Sequence, residues 1–102
     1  MTLQEEADRI IHRAVWDAFA DAGVDLVYIE RIDKGATRNP AVMQHLVQGR
    51  TVGAPSRVVQ YSTVNPHRSA LCDWARQTEQ AVKVTWRRTA YGREIVNVER
   101  TT

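Results

Sequence analysis

The chain has 102 residues, of which 43% are hydrophobic and 25% charged, and its formal net charge at pH 7 is +2. This length and composition fit one globular domain with a modest core, and they exclude a second domain and a disordered chain. No apolar run approaches the roughly 20 residues of a membrane helix, and the first residues lack the basic-then-apolar layout of a signal peptide. Because the single cysteine, Cys72, permits no internal disulfide, we expect a cytoplasmic protein.

The first predicted element is a helix that opens with a capping box at Thr2 and Glu5 and ends at Gly23. Its apolar residues recur with the helical period and form one broad arc. Trp16 falls outside that arc, close to His12, and a large apolar group in water is typical of a contact with a partner. His12 and Trp16 are therefore a candidate protein interface, for a homodimer or for another protein. The alternative is that a loop or a sheet edge of the same chain covers the indole.

Two strands are predicted in the middle of the chain. Residues 26–29 are a short apolar run with β-branched and aromatic members, which predicts a central strand covered on both faces. Residues 33–38 are rich in turn formers and predict a loop. Residues 57–62 predict the second strand.

Two further helices are predicted from one opening device, an Asn-Pro pair that supplies the N-cap and the first helical position. Residues 39–49 begin with this pair and end in glycine, which predicts a short helix. Residues 65–80 begin with the same pair and predict a longer one. Since the shorter helix would connect the two predicted strands and is long enough for a crossover, those strands can run parallel.

Residues 82–100 predict an antiparallel hairpin. A three-residue loop at positions 90–92, with Gly92 in the left-handed conformation, places Thr89 opposite Arg93 and Trp86 opposite Val96. Further along, it places Val84 opposite Val98 and Lys83 opposite Glu99. We reject a two-residue loop because it mixes the two faces of the hairpin. The preferred register predicts an inner face of Val82, Val84, Trp86, Val96 and Val98, and an outer face of Lys83, Thr85, Arg87, Ile95, Asn97 and Glu99.

The predicted order of elements is α-β-α-β-α-β-β. It indicates a single α+β domain over residues 1–102, with a small mixed sheet of about four strands, three helices mainly on one face and a C-terminal antiparallel hairpin. Over residues 57–100 the order of strand, helix and hairpin resembles the second half of an OB-fold, in which a helix joins the third and fourth strands. An OB-fold has three strands before that helix, whereas the sequence indicates two, so α+β remains the predicted class.

Motifs for catalysis, metals and cofactors are missing from the sequence. The only candidate catalytic residues that lie close together in the sequence are Cys72, His67 and Asp73. On a helix, however, His67 and Cys72 lie about 140° apart and cannot share a hydrogen bond. The histidines and the cysteine lack the short spacings of metal ligands, and there is no glycine-rich phosphate motif. We therefore expect a protein that is not an enzyme and uses no metal or cofactor.

The outer face of the hairpin favours nucleic-acid binding, since it offers cations for phosphates and an aromatic ring for base stacking. The charge is also uneven, with a net −5 over residues 1–33 and +7 over residues 34–102. Arg87 is preferred to Arg88 because the chosen register puts Glu94 opposite Arg88 and no carboxylate opposite Arg87. The predicted nucleic-acid-binding residues are Arg57, Lys83, Arg87, Tyr91 and Arg93.

The alternative function is a small protein-binding adaptor or inhibitor, such as an accessory protein of a phage or mobile element, acting through the N-terminal helix. Its support is the small size, the missing catalytic motifs and the Trp16 patch. Charges on a hairpin also prevent aggregation between sheet edges, so they need not bind anything. The sequence does not distinguish DNA from RNA, or single strands from duplex.

Overall fold

A computed structural model describes residues 20–101 of the chain. This part of the chain contains five strands and one helix. They are β1 (Ala22–Ala36), β2 (Met43–Thr51), β3 (Val58–Thr63), α1 (Pro66–Thr78), β4 (Ala81–Thr89) and β5 (Gly92–Arg100). The strands form a closed barrel in the order β1-β2-β3-β5-β4, and β4 pairs with β1 to close it. All neighbouring strands are antiparallel except β3 and β5, which meet in parallel.

This connectivity corrects the predicted fold class. A five-stranded barrel with a helix between its third and fourth strands has the topology of an OB-fold. The α+β prediction, with three helices and a sheet of about four strands, is therefore wrong. The resemblance confined to residues 57–100 extends over the described chain because β2 supplies the third strand before the helix.

The turn before β2 explains why a helix was wrongly predicted for residues 39–49. The Asn39 side-chain carbonyl accepts a hydrogen bond from the Ala41 amide at 3.0 Å, and the Val42 amide donates to the Asn39 carbonyl at 2.9 Å. Asparagine thus stabilises a tight turn between two strands, which is its other common local role. The same Asn-Pro pair is compatible with both outcomes.

Beyond that turn, β2 alternates between the barrel interior and the outside. His45, Val47 and Gly49 are buried, whereas Leu46 between them is exposed. A side chain at Gly49 would place its Cβ 2.6 Å from the Tyr28 carbonyl oxygen, so glycine here permits the close approach of β1 and β2. Gly49 was expected to end a helix, and it lies inside a strand instead.

β1 is much longer than the predicted strand over residues 26–29. It begins at Ala22, where the first helix was expected to end, and includes most of the loop predicted over residues 33–38. It pairs with β4 over residues 22–28 and with β2 over residues 27–36, and a bulge after Ile29 interrupts the pairing with β2. Leu26 is 43% exposed, so the prediction that both faces of this segment are covered is wrong.

The connection between β1 and β3 differs from the prediction. These strands contain the two segments that a crossover helix was expected to join, but β2 lies between them. Both pair with β2 in the antiparallel direction. The two strands therefore run in the same direction, as the sequence allowed, but a turn and β2 connect them in place of the predicted crossover helix.

The hairpin of β4 and β5 confirms half of the predicted register. Val84 lies opposite Val98 and Lys83 opposite Glu99, as expected. The turn contains two residues instead of three, and a bulge at Val96 absorbs the difference. Gly92 follows this turn with φ +125°, a region that favours glycine.

The two-residue turn changes every pairing close to it. Trp86 lies opposite Ile95, and Ile95 is fully buried, so Ile95 was wrongly placed on the outer face and Val96 on the inner one. Arg87 lies opposite Glu94 and Arg88 opposite Arg93. The predicted pairs of Thr89 with Arg93 and of Arg88 with Glu94 are therefore wrong.

Helix α1 confirms the prediction made from the second Asn-Pro pair. The Asn65 side-chain carbonyl accepts hydrogen bonds from the amides of His67 and Arg68 at 2.9 and 3.2 Å. The helix ends at Thr78, and the C-cap residue Glu79 adopts the left-handed conformation with φ +55°. Its buried residues Cys72 and Ala75 belong to the hydrophobic core of the barrel.

The barrel interior is filled by side chains from all five strands. Burial of each large aliphatic member contributes about 1.5 to 3 kcal/mol to folding. The core consists of Val27, Ile29, Val47, Val59, Tyr61, Cys72, Ala75, Val82, Val84, Trp86, Ile95 and Val98.

No helix within residues 20–101 combines the length and the apolar character that crossing a membrane requires. The predicted first helix and the candidate interface at His12 and Trp16 lie outside the described residues.

Candidate nucleic-acid interface

A groove of about 480 Å³ runs beside the outer surface of β3. The outward positions of this strand, Val58, Gln60 and Ser62, line it, together with Leu46 of β2 and Tyr91 of the β4–β5 turn. Val58 is 52% exposed and Leu46 is 51% exposed. The groove therefore presents accessible apolar surface beside small polar groups.

Two smaller depressions share lining residues with this groove. One of about 120 Å³ lies towards β2 and shares Leu46 and Gln60. The other, of about 260 Å³, shares Ser62 and Tyr91. Because each depression shares lining residues with the groove, the three form one continuous track on β2, β3 and the residues around the β4–β5 turn.

Tyr91 stands at the tip of the β4–β5 turn with 98% of its surface exposed. The Thr89 hydroxyl accepts a hydrogen bond from the Tyr91 amide and donates one to the Gly92 carbonyl, each at 3.2 Å. These two bonds hold the backbone of the turn. The ring is thus presented from an ordered turn with both faces open, as base stacking requires.

Three arginines line the same groove: Arg57, Arg88 and Arg93. Arg88 is anchored to the start of the described chain, since its Nε donates to the Ala20 carbonyl at 3.0 Å. The Arg93 guanidinium lies over the Trp86 ring, 4.3 Å from the ring centroid. Positive charge is therefore concentrated on the walls of the groove.

A partly buried acidic group lies beneath Arg93. The Asp25 carboxylate accepts a hydrogen bond from the Tyr61 hydroxyl at 2.5 Å, and it lies 3.8 Å from the Arg93 guanidinium. Burial, followed by the bond to Asp25, raises the pKa of the Tyr61 phenol far above its ordinary value. The carboxylate is therefore charge-balanced by Arg93 and held by a phenol that stays protonated.

The structure brings together three of the five residues predicted to bind nucleic acid. Arg57, Tyr91 and Arg93 line one groove. Lys83 lies on β4 beside β1, away from the groove, and its amine is 3.8 Å from the Glu99 carboxylate. Arg87 is also outside the groove lining.

The reason for choosing Arg87 is wrong. Its guanidinium lies 3.4 Å from the Glu94 carboxylate, because the two-residue turn puts Glu94 directly across from it. Arg88, which was expected to be neutralised by Glu94, lines the groove instead. A shift of one residue at the turn therefore exchanged the roles assigned to the two arginines.

Sequence reasoning missed the floor of the groove and the acid beneath it. Val58, Gln60 and Ser62 alternate with buried residues in a strand that was correctly predicted, so their common outward face was available as a signal. Leu46 was hidden by the incorrect helix over residues 39–49. For Asp25 no local signal exists, because its partners come from β3 and β5.

The residues first considered for catalysis do not form a site. Cys72 is fully buried, and burial raises the pKa of its thiol to about 11, so it is protonated at neutral pH. His67 is exposed, and the Asp73 carboxylate accepts hydrogen bonds from Arg76 and Gln77. Among residues 20–101, no three histidine, cysteine, aspartate or glutamate side chains are placed to hold a metal ion.

The fold and the groove define the class of this protein as a small OB-topology barrel with a basic, aromatic-tipped groove on its β2–β3 face. No protein-family model matches the sequence, and no curated protein or solved structure matches it significantly. Its function is therefore inferred from the fold and the groove.

Proposed function

We propose that this protein binds single-stranded nucleic acid in the groove on its β2–β3 face and carries out no reaction there. One observation carries this proposal. The fully exposed ring of Tyr91 shares a groove with Arg57 and Arg93 and with the exposed apolar side chains of Leu46 and Val58. In OB-folds the strand 2–3 face and the loop between strands 4 and 5 are where oligonucleotides bind.

The chemistry of the groove matches the two parts of a nucleotide. Bases stack on aromatic and apolar side chains, and stacking tolerates any sequence because every base has a flat face. Guanidinium groups bind the phosphates, which supply most of the affinity. Tyr91, Leu46 and Val58 are suited to the first role, and Arg57 and Arg93 to the second.

The preference for a single strand follows from the exposed Tyr91 ring. In a duplex the faces of the bases are already stacked on each other, so an open tyrosine ring gains nothing from them. An unpaired strand can place a base on Tyr91 and continue along the track over Gln60 towards β2. Duplex binding would use phosphate contacts alone.

The charges around the groove favour a polyanion as the ligand. Asp25 is matched by Arg93 within the barrel, and Glu94, at the edge of the track, is matched by Arg87 at 3.4 Å. Among the described residues, the lining of the groove itself contains three arginines and no carboxylate. The protein-binding function predicted for the N-terminal helix depends on residues outside the described range and remains the alternative.

Fluorescence anisotropy with labelled single-stranded DNA, single-stranded RNA and duplex, each at several salt concentrations, tests the proposal. We expect Tyr91→Ala to weaken single-strand binding by about 5- to 150-fold, the loss of one stacked base, and to affect duplex binding little. Arg93→Ala should weaken binding to every sequence and flatten the salt slope by about 0.7 for each lost single-strand phosphate contact.

Arg100→Ala is the matched control for Arg93→Ala. Arg100 also lies over a tryptophan ring, that of Trp74 at 4.0 Å, but it is not among the residues that line the groove. An equal loss of affinity in both variants would show that binding depends on overall charge and not on the groove. Wild-type protein that binds neither strand nor duplex at low salt would overturn the proposal in favour of a protein partner.

A further inference from the structure

Four exposed apolar side chains lie together on the outer face of the barrel at β1. Val24, Leu26 and Tyr28 occupy three successive outward positions of this strand. Val52 lies beside them, because its amide donates to the Leu26 carbonyl at 2.9 Å. All four are between 41% and 55% exposed. Large apolar side chains that are grouped in this way on a surface mark a contact with another surface. The four residues are called the β1 stripe below.

The neighbouring strand β4 has no such run of apolar residues. Its outward positions beside the β1 stripe are Lys83, Thr85 and Arg87. On β3 the exposed Val58 is followed at the next outward position by Gln60. A single exposed valine is ordinary on a protein surface, whereas three successive apolar positions on one strand are not. The β1 stripe is therefore the part of the barrel surface that most resembles half of a packed interface.

The charged side chains beside the β1 stripe are already paired. Lys83, directly across from Leu26, has its amine 3.8 Å from the Glu99 carboxylate. On the β2 side, the Arg50 guanidinium lies 3.0 Å from the Glu30 carboxylate. A contact that covers the stripe therefore depends on apolar packing and not on charge. This excludes a polyanion as the partner of this face and favours the apolar side of an amphipathic element.

The chain that precedes β1 is long enough to cover the stripe. The described residues begin at Ala20, four positions before Val24. Residues 1–19 lie before that point, and as a helix they would span about 28 Å at 1.5 Å per residue. From Val24 to Tyr28, β1 extends over only about 13 Å. A helix of this length reaches every residue of the stripe.

The start of the described chain is anchored close to the stripe. Ala20 packs against the hydrophobic core, and the Asp21 carbonyl accepts a hydrogen bond from the Arg88 amide at 2.6 Å. The backbone bends at Asp21, so the residues before it do not continue along the line of β1. A segment that turns back at this bend runs over the outer face of β1 from Val24 towards Tyr28.

The sequence of residues 1–19 supplies an apolar surface of the right kind. The helix predicted there has one broad apolar arc, which consists, within this segment, of Leu3, Ala7, Ile10, Ile11, Ala14, Val15 and Ala18. A helix with such an arc gains most of its stability from packing the arc against another surface. The β1 stripe is the exposed apolar surface that follows most closely along the chain.

We propose that residues 1–19 form a helix whose apolar arc packs on the β1 stripe of the same chain. None of the four residues of the stripe lines the candidate nucleic-acid groove. The packed helix therefore leaves that groove open, and this contact is separate from the proposed function.

Methyl NOE spectra of the wild-type chain test the contact directly. We expect NOEs from Ile10 or Ile11 to the methyl groups of Val24 or Leu26. Leu46 on the groove face is the matched comparison, because it is a leucine with similar exposure, 51%. NOEs from the isoleucines to Leu46 would place the segment on the groove, and no NOEs to either leucine would show that it does not pack on the barrel. Both outcomes overturn the proposal.

A double-mutant cycle measures the same contact through urea unfolding of the full chain. Ile10→Ala should raise the equilibrium constant for unfolding about tenfold in the wild type. In Leu26→Ala it should raise that constant less than about threefold, because the contact is already lost there. In Leu46→Ala the effect should stay at about tenfold. Equal effects of Ile10→Ala in all three backgrounds would contradict packing of the helix on the stripe.

The helix of a second copy could produce the same NOEs, and a mixed sample distinguishes the two sources. Equal parts of isotope-labelled and unlabelled chain are combined, and isotope-filtered spectra select the NOEs between copies. We expect every NOE between Ile10 and Leu26 to arise within one chain. If these NOEs arise between copies, the stripe is a homodimer interface and the packing within one chain is wrong.

Discussion

The two ends of the barrel use the same contact in different surroundings. At the α1 end Arg100 lies over the Trp74 ring at 4.0 Å, and near the β4–β5 turn Arg93 lies over the Trp86 ring at 4.3 Å. Around α1, Cys72 and Ala75 are fully buried in the hydrophobic core. Near the turn the tryptophan borders Asp25 and a cavity.

The difference teaches that a cation over a tryptophan ring does not by itself mark a site. Around α1 the polar side chains are satisfied locally: His45 and Ser69 are hydrogen-bonded at 2.7 Å, and Asn65 caps the helix. Near the turn the Trp86 donor has no described partner and the Tyr91 ring is 98% exposed. Under the proposed function, the exposed Tyr91 ring is what distinguishes the turn end from the α1 end.

The largest expected effect comes from removing the buried ring at the turn end. Trp86→Ala should lower the free energy of unfolding by about 3 to 5 kcal/mol, because it empties a large volume in the core. Trp74→Ala should cost less, since Trp74 is only partly buried against that core. Urea unfolding followed by circular dichroism measures both. An unchanged midpoint for Trp86→Ala would show that its side chain does not pack in the core.

Raising the pH above about 9 should lower the stability of the fold, because the buried side chains of Cys72 and Tyr61 hold their protons. Burial raises the pKa of the Cys72 thiol from 9.0 to about 11, so the folded state keeps a proton that the unfolded chain loses. The contribution of this thiol to the free energy of unfolding is complete below about pH 9. It is lost as the pH rises to about 11, and the loss is on the order of 2 to 3 kcal/mol. The pKa of Tyr61 is raised as well, which extends the loss to higher pH.

Urea unfolding at intervals from pH 7 to about pH 11 measures this loss. Cys72→Ala should reduce the slope above about pH 9 while Tyr61 still contributes. The same slope in Cys72→Ala and wild type would show that the thiol is not the group responsible.

A smaller loss of stability is expected when the asparagine of either Asn-Pro pair is replaced by alanine. Asn65→Ala should cost about 1 kcal/mol, because two amides in the first turn of α1 lose their acceptor. Asn39→Ala removes a single turn bond from the Ala41 amide, on an exposed loop, and should cost less than about 0.5 kcal/mol. Thermal melts of the two variants compare them directly. A larger cost at Asn39 would contradict the assignment of the turn.

Lys83→Ala should have the smallest effect. The side chain is exposed and its ion pair with Glu99 is long, at 3.8 Å, so stability should change by less than about 0.5 kcal/mol. Affinity for single-stranded nucleic acid should also change far less than in Arg93→Ala. If anisotropy shows equal losses, binding uses the outer face of the hairpin that the sequence suggested, and the groove is not the site.

The parts of the fold that were predicted correctly depend on contacts between residues close in sequence. The Asn65 cap, the extent of α1 and the pairing of β4 with β5 are of this kind. So is the strand over residues 57–62, whose alternation spans only six positions. Short-range patterns were sufficient there because no distant strand was needed to decide between two structures.

The incorrect parts needed information from distant residues. Asn-Pro at position 39 opens a turn because β1 and β2 pair on either side of it, and the local sequence suits a helix equally well. The register beside the β4–β5 turn depends on whether Ile95 or Val96 points into the barrel, and in the structure Ile95 is the buried one. A one-residue slip in a strand exchanges its faces, so this choice also reversed the roles of Arg87 and Arg88.

The sequence by itself determined a capped helix followed by a hairpin, and a basic, aromatic C-terminal half in which Arg57, Tyr91 and Arg93 were candidates for binding. Only the tertiary structure decided that these three share a groove with Leu46, and that Asp25 lies beneath them. The physical reason is barrel closure. Side chains far apart in the chain become neighbours when β3 meets β5 and β1 meets β4, and no local pattern encodes that meeting.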